Sequence, residues 1–187
     1  MRATPFYHRF STIIASLVLC FLSSYALGQR CDKTITLTTP TAQFAINDNG
    51  TVLDSSTSLI WQRCYLGQVY NSTNNSCEGR ATTMSWQDAL QAAPNLNVSG
   101  YAGLSDWHLP TIKELSSIIE KACYGSAVNL VVFPGMGHPE VWSVFADAKV
   151  GYDGRLVNFY LVDFLNGNIN YLPRSRHGAV RLVHKGQ

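Results

Sequence analysis

The sequence predicts an α+β domain in which strands precede and follow two helices instead of alternating with them. Three observations carry that prediction. Extended segments separated by turn residues fill the chain up to about residue 64 and again after residue 140. Two capped helical patterns, opening at Ser85 and Thr111, lie between them. Four cysteines, Cys31, Cys64, Cys77 and Cys123, are spaced to crosslink the parts.

The N-terminus comes first because it sets the compartment. Arg2 and Arg9 precede an apolar run from Ile13 to Leu22, and Ala26-Leu27-Gly28 supplies small residues before Gln29. Residues 1–28 are thus expected to be a secretory signal peptide and 29–187 the mature domain. The run is short for a membrane span, and no later stretch reaches the roughly 20 apolar residues a span needs. Cys20 follows bulky Leu19 and Cys31 follows Gln29-Arg30, which argues against lipidation. Loss of residues 1–28 removes Arg2 and Arg9 and no acid, so 14 basic and 12 acidic residues become 12 and 12. The remaining length suits one domain.

Strands are expected over Thr34–Thr38, Gln43–Ile46 and Thr51–Leu53, with the turn Asn47-Asp48-Asn49-Gly50 between the last two, and then over Leu59–Arg63. Ser85 caps a first helix that carries Trp86, Ala89, Leu90 and Ala93 at helical spacing, and Pro94 is expected to stop it soon afterwards. Between the helices, Trp107 and Leu109 point to one face of a short strand and Asp106 and His108 to the other. Thr111 and Glu114 form a capping-box pair at the start of a second helix whose apolar stripe is Ile112, Leu115, Ile118, Ile119 and Ala122, with Cys123 and Gly125 marking its end. Strands then recur over Val141–Val144, Leu156–Phe164, Asn168–Leu172 and Ala179–Val183, the middle two joined by an Asn166-Gly167 hairpin turn.

In an oxidising compartment the four mature cysteines are expected to form two disulfides. Three pairings exist. The favoured one joins Cys64 to Cys77 across a short polar loop and Cys31 to Cys123 at the end of the second helix. Zinc is the rival for these cysteines, but they are scattered and contain no C-x-x-C pair.

An ordered set of motifs then carries a family resemblance: Gly50-Thr51-Val52, Leu59-Ile60-Trp61-Gln62-Arg63-Cys64, Trp86-Gln87-Asp88-Ala89-Leu90, Gly103-Leu104-Ser105-Asp106-Trp107-His108-Leu109-Pro110, Lys113-Glu114-Leu115, Phe133-Pro134, Trp142-Ser143 and Val180-Arg181-Leu182-Val183. Together they resemble the bacterial Lcl C-terminal domain family over nearly all of the mature chain. The resemblance implies a C-type lectin-like architecture, two helices flanking irregular antiparallel sheets, and an adhesin role. It does not bring the lectin calcium site, since the chain has neither a Glu-Pro-Asn or Gln-Pro-Asp triplet nor a Trp-Asn-Asp run. His108 stands where arginine is commoner in the family, and Val144-Phe145 where serines are, so the ligand of this member is expected to differ.

Candidate sites are few. Asp163, Asn166, Asn168 and Asn170 could offer oxygens to a hard cation but equally suit a hairpin turn and its solvated strand. Ser105, Asp106 and His108 invite a hydrolase reading, yet adjacency alone does not position a nucleophile and its base; Asp106 is expected to hold backbone donors of its loop. His138 and Glu140 flank a proline with no third ligand converging. The four tryptophans sit in strand and helix patterns where core packing outweighs sugar stacking. Three glycosylation-type triplets, beginning at Asn71, Asn74 and Asn97, mark exposed loops. The ligand clue that remains is the basic C-terminal end. Arg174, Arg176, His177, Arg181, His184 and Lys185 all follow the last acid, Asp163, and such groups pair with sulfate or carboxylate; Arg181 has the alternative of an internal ion pair.

The expectation is a secreted, non-enzymatic binding module for an extracellular, anionic polysaccharide or a surface protein, with no metal and no cofactor. It has no membrane span and no tie to nucleic acid, and a homo-oligomer would multiply a weak site. The alternative is a periplasmic or surface assembly subunit that binds protein partners.

Overall fold

The computed structural model describes residues 28–135, 140–146, 158–173 and 176–186, with the side chains of 145 and 146 outside the description. Arg174, His138 and the apolar N-terminal run therefore lie outside the described residues, as do the first residues expected of the strand opening at Leu156.

The chain opens with β1 (Arg30–Cys31), and Thr41–Gln43 form one 3-10 turn. An antiparallel meander follows, of β2 (Phe44–Ile46), β3 (Thr51–Asp54) and β4 (Leu59–Gln62). Gly50 turns between the first two of these with φ +83°, a conformation that glycine adopts without strain. A small hairpin, β5 (Val69–Asn71) and β6 (Ser76–Glu78), leads to β7 (Thr83–Met84). Helices α1 (Trp86–Ser99) and α2 (Ile112–Ser117) come next, then β8 (Cys123–Tyr124), β9 (Glu140–Ala146), β10 (Asn158–Asp163), β11 (Asn168–Pro173), β12 (Gly178–Ala179) and β13 (Val183–Lys185).

These strands build two main sheets. One runs β13-β4-β3-β2, so the chain's last strand returns beside its early meander. The other runs β11-β10-β9-β12-β7, antiparallel except for the β12-β9 bridge. Adjacent residues of β9 and β10 serve opposite faces of this second sheet, as strand alternation requires. Val141 and Val162 join a core with Trp61, Leu115, Ile118, Phe133 and Phe164. Trp142 and Leu161 join another with Ala89, Trp107, Phe159 and Leu182. The molecule is thus mixed α and β, with two helices and several antiparallel sheets.

All four tryptophans pack inward. Trp61, Trp107 and Trp142 are buried, while Trp86 stacks on Phe159 at 4.4 Å between ring centroids and donates Nε1–H to Ser143 O. The two disulfides are Cys31–Cys123 and Cys64–Cys77, the favoured pairing.

Five expectations are corrected, the first being the strand over Ala179–Val183, which is split between β12 and β13 with residues 180–182 in neither. Thr34–Thr38 is a turn followed by irregular chain, not a strand, because Thr38 and Thr39 are drawn to the Glu120 carboxylate. Pro94 lies inside α1, which runs on to Gly100; burial of Ala92 and Ala93 and packing of Leu96 outweigh the bond that the proline cannot donate. Helix α2 ends sooner than its apolar stripe suggests. Ile118, Ile119 and Ala122 are buried from a tightened, irregular continuation, where Ile118 N–H reaches Leu115 O and Ile119 N–H reaches Ser116 O. The Trp107 segment is one antiparallel bridge instead of a strand: His108 N–H donates to Val183 O at 2.8 Å and Val183 N–H to His108 O at 3.1 Å.

Candidate functional site

That bridge places the segment before α2 beside β13, and between them opens a groove of about 720 Å³. Asp106, His108, Thr111, Glu114, His184 and Lys185 line it. Every lining side chain is polar. The predicted alternation holds across the bridge: Trp107 and Leu109 enter the core while Asp106 and His108 face the groove.

The groove's floor is stiff. Thr111 Oγ1 accepts Glu114 N–H at 3.1 Å and Glu114 Oε2 accepts Thr111 N–H at 2.7 Å, which completes the capping box. The other carboxylate oxygen, Oε1, meets His108 Nε2 at 3.1 Å. Burial pushes the Glu114 carboxyl up, but the bonds from Thr111 and His108 outweigh it and hold the group below its ordinary value. Glu114 is therefore an anion already spoken for by cap and imidazole. Asp106 is the exposed carboxylate of the groove and sits at φ +67°. It does not hold its loop together as expected. Asn97 does, accepting Trp107 N–H and donating to Trp107 O, each at 2.9 Å. On the opposite wall the His184 ring meets Trp107 edge-on at 5.7 Å, and Lys185 is exposed.

The structure divides the basic C-terminal end. His184 and Lys185 line the groove; Arg176 and His177 are exposed on the loop before β12, and Arg176 Nη2 lies 3.8 Å from Glu140 Oε2. Arg181 is corrected to an interior residue. Its guanidinium, 1 % exposed, donates Nη1–H to Gln62 O at 2.7 Å and Arg63 O at 2.5 Å, between the rings of Tyr65 and Phe133. A cation so placed cannot meet a surface polymer, and its partners are carbonyls and rings instead of an acid. Arg63 is a second buried arginine, bonded to Val131 O, Val132 O, Asn75 and the Tyr70 hydroxyl.

The Asp163 to Asn170 cluster is spent on its turn. Asp163 Oδ1 accepts Leu165 N–H at 2.8 Å and Asn166 Oδ1 accepts Asn168 N–H at 3.0 Å. Among the described residues no group of three or more His, Cys, Asp or Glu side chains is placed to hold a metal ion. The groove as a unit was not legible in the sequence, because its walls are about 70 residues apart. The available signal was the outward His108 opposite a strand that ends in His184 and Lys185.

Fold and groove together define a disulfide-bonded α+β domain with an open, polar surface site. Residues 50–184 match the Lcl C-terminal domain, and the chain belongs to that family. No curated protein matches it. Two disulfides fit an extracellular or periplasmic location, and among the described residues no helix is long and apolar enough to cross a membrane.

Proposed function

We propose that this protein is a secreted, non-enzymatic binding module of C-type lectin-like architecture that recognises an extracellular polysaccharide through the groove between residues 106–114 and β13. The observation that carries the reading is the groove's lining: six polar side chains, carboxylate, hydroxyl, imidazole and ammonium, on a floor fixed by a capping box and a backbone bridge. Sugars present alternating donors and acceptors, which such a lining can match. Arg176 and His177 add exposed cationic or polar contacts beyond it. Residues 1–28 serve as the export signal on this reading.

The test is binding of the purified exported chain to neutral, carboxylated and sulfated polysaccharides, with calcium or chelator and at two salt concentrations. Retention on at least one polymer, unaffected by chelation and weakened about tenfold or more by Lys185→Ala, is expected. No retention on any polymer would move the protein to the class of assembly subunits that bind protein partners.

A further inference from the structure

We propose that the groove is an acid-switched anion site, which takes sulfate-bearing or carboxylate-bearing polymers at mildly acidic pH and releases them at mildly alkaline pH. This rests on the reading of the groove as the polymer-binding surface. The groups that face it come from three elements. The segment before α2 supplies Asp106 and His108, α2 supplies Glu114, and β13 supplies His184 and Lys185. Lys113 is exposed on α2 but outside the lining. Strand β4, paired behind β13 through Leu59, Ile60 and Trp61, brings no titratable side chain. Tyr101 packs behind Trp107 at 5.6 Å between rings, and burial pushes its phenol up, so it stays neutral throughout.

The sign of the groove follows from this inventory. With both imidazoles neutral, Asp106 and Glu114 against Lys185 leave one net negative charge; with His108 protonated, that excess is cancelled. Imidazole is the side chain that gains or loses charge across the physiological pH range. The two rings are differently held, and each couples to charge in its own way. His108 Nε2 is 3.1 Å from the Glu114 carboxylate, so its protonated form neutralises that anion where it stands. His184 has a buried Nδ1 without a partner and its ring lies edge-on to Trp107, so His108, set against a carboxylate, is the ring that carries the switch. A polyanion is thus repelled by Asp106 and Glu114 at high pH and drawn to Lys185 at low pH, once His108 has neutralised Glu114.

Dextran sulfate is the probe of choice, because its charge does not change between pH 5.5 and 8, with neutral dextran as the control. At low salt the exported chain is expected to bind dextran sulfate about tenfold or more tightly at pH 5.5 than at pH 8, a difference of about 1.4 kcal/mol. The His108→Gln, His184→Gln double variant is expected to lose that difference, while Lys33→Gln, exposed outside the groove, keeps it. Should the double variant not fold by circular dichroism, His108→Gln alone is expected to lose most of the difference. Equal binding at the two pH values, no binding at pH 5.5, or an unchanged difference in the histidine variants would overturn the switch. Retention of neutral or carboxylated polymers without any pH dependence would overturn only the switch, whereas failure of every polymer at every pH would overturn the polysaccharide reading with it.

Discussion

At the scale of single residues, the interior charges decide more than the exposed ones. Arg181 neutralises no acid; it satisfies the Gln62 and Arg63 carbonyls and fills the gap between Tyr65 and Phe133. Lysine keeps the charge but lacks the flat, forked donor set, so Arg181→Lys is expected to destabilise the fold by about 2 kcal/mol. Arg176→Ala, at an exposed and loosely paired position, is expected to change stability by less than about 0.5 kcal/mol. Denaturant titration of the two variants checks the contrast. Glu120 is a buried carboxylate outside the groove. It accepts the N–H groups of Thr38, Thr39 and Ala122 and the hydroxyls of both threonines. Burial raises its carboxyl, but these donors outweigh burial and leave it below its ordinary value. A carboxylate lowered on folding stabilises fully above its unfolded value, about 4.3, and that contribution is lost as pH falls through the lower folded value. Glu120→Gln is accordingly expected to cost about 2 kcal/mol at pH 7 and to lose less stability than the parent as pH drops below about 4. Urea midpoints measured across that range would read both effects.

At the scale of elements, local chemistry and tertiary contacts were legible to different depths. Caps were readable because their bonds span three residues: Ser85 with Asp88, and Thr111 with Glu114, are both present. Helix ends were not. Pro94 failed to stop α1, whose Ala92 and Ala93 are buried against distant chain, and α2 ends at Ser117, ahead of a Glu120 bonded to the distant Thr38 and Thr39. The early Thr34–Thr38 pattern looked extended for its threonines, yet Thr34 is turned onto Asp32 beside it and Thr38 serves the Glu120 carboxylate 82 residues away. The inward arginine was misplaced for a similar reason, since Val180-Arg181-Leu182-Val183 reads as alternation and the chain between Ala179 and Val183 is not strand. The Thr111 cap is the element-scale joint between fold and groove. Thr111→Ala removes the acceptor for Glu114 N–H and loosens the carboxylate that His108 meets, so a loss of about 1 kcal/mol of stability is expected. A weaker pH difference in dextran sulfate binding should accompany it. Unfolding melts beside binding isotherms at the two pH values measure the joint effect.

At the scale of the whole molecule, the two disulfides act on different parts of the unfolded chain. Cys31–Cys123 closes a separation of 92 residues and ties the N-terminal segment to the end of the helical region, where β1 pairs with β8. Cys64–Cys77 closes only 13 and pins the β5-β6 hairpin next to the buried Arg63. The chain-entropy relation gives about 4.6 kcal/mol for the longer loop and about 2.9 kcal/mol for the shorter. The groove lies on neither bridge: its walls are joined by the His108–Val183 bridge and rest on the Trp107 core. Removing a disulfide should therefore lower stability without reshaping the site. The Cys31→Ala, Cys123→Ala variant is expected to lose about 1–2 kcal/mol more than the Cys64→Ala, Cys77→Ala variant by the same relation. Both variants should keep the polymer affinity of the parent under conditions where they remain folded. An equal or reversed order of urea midpoints would show that the long bridge adds little constraint beyond the sheet contacts, and a lost affinity in folded variants would tie the groove to the crosslinks after all.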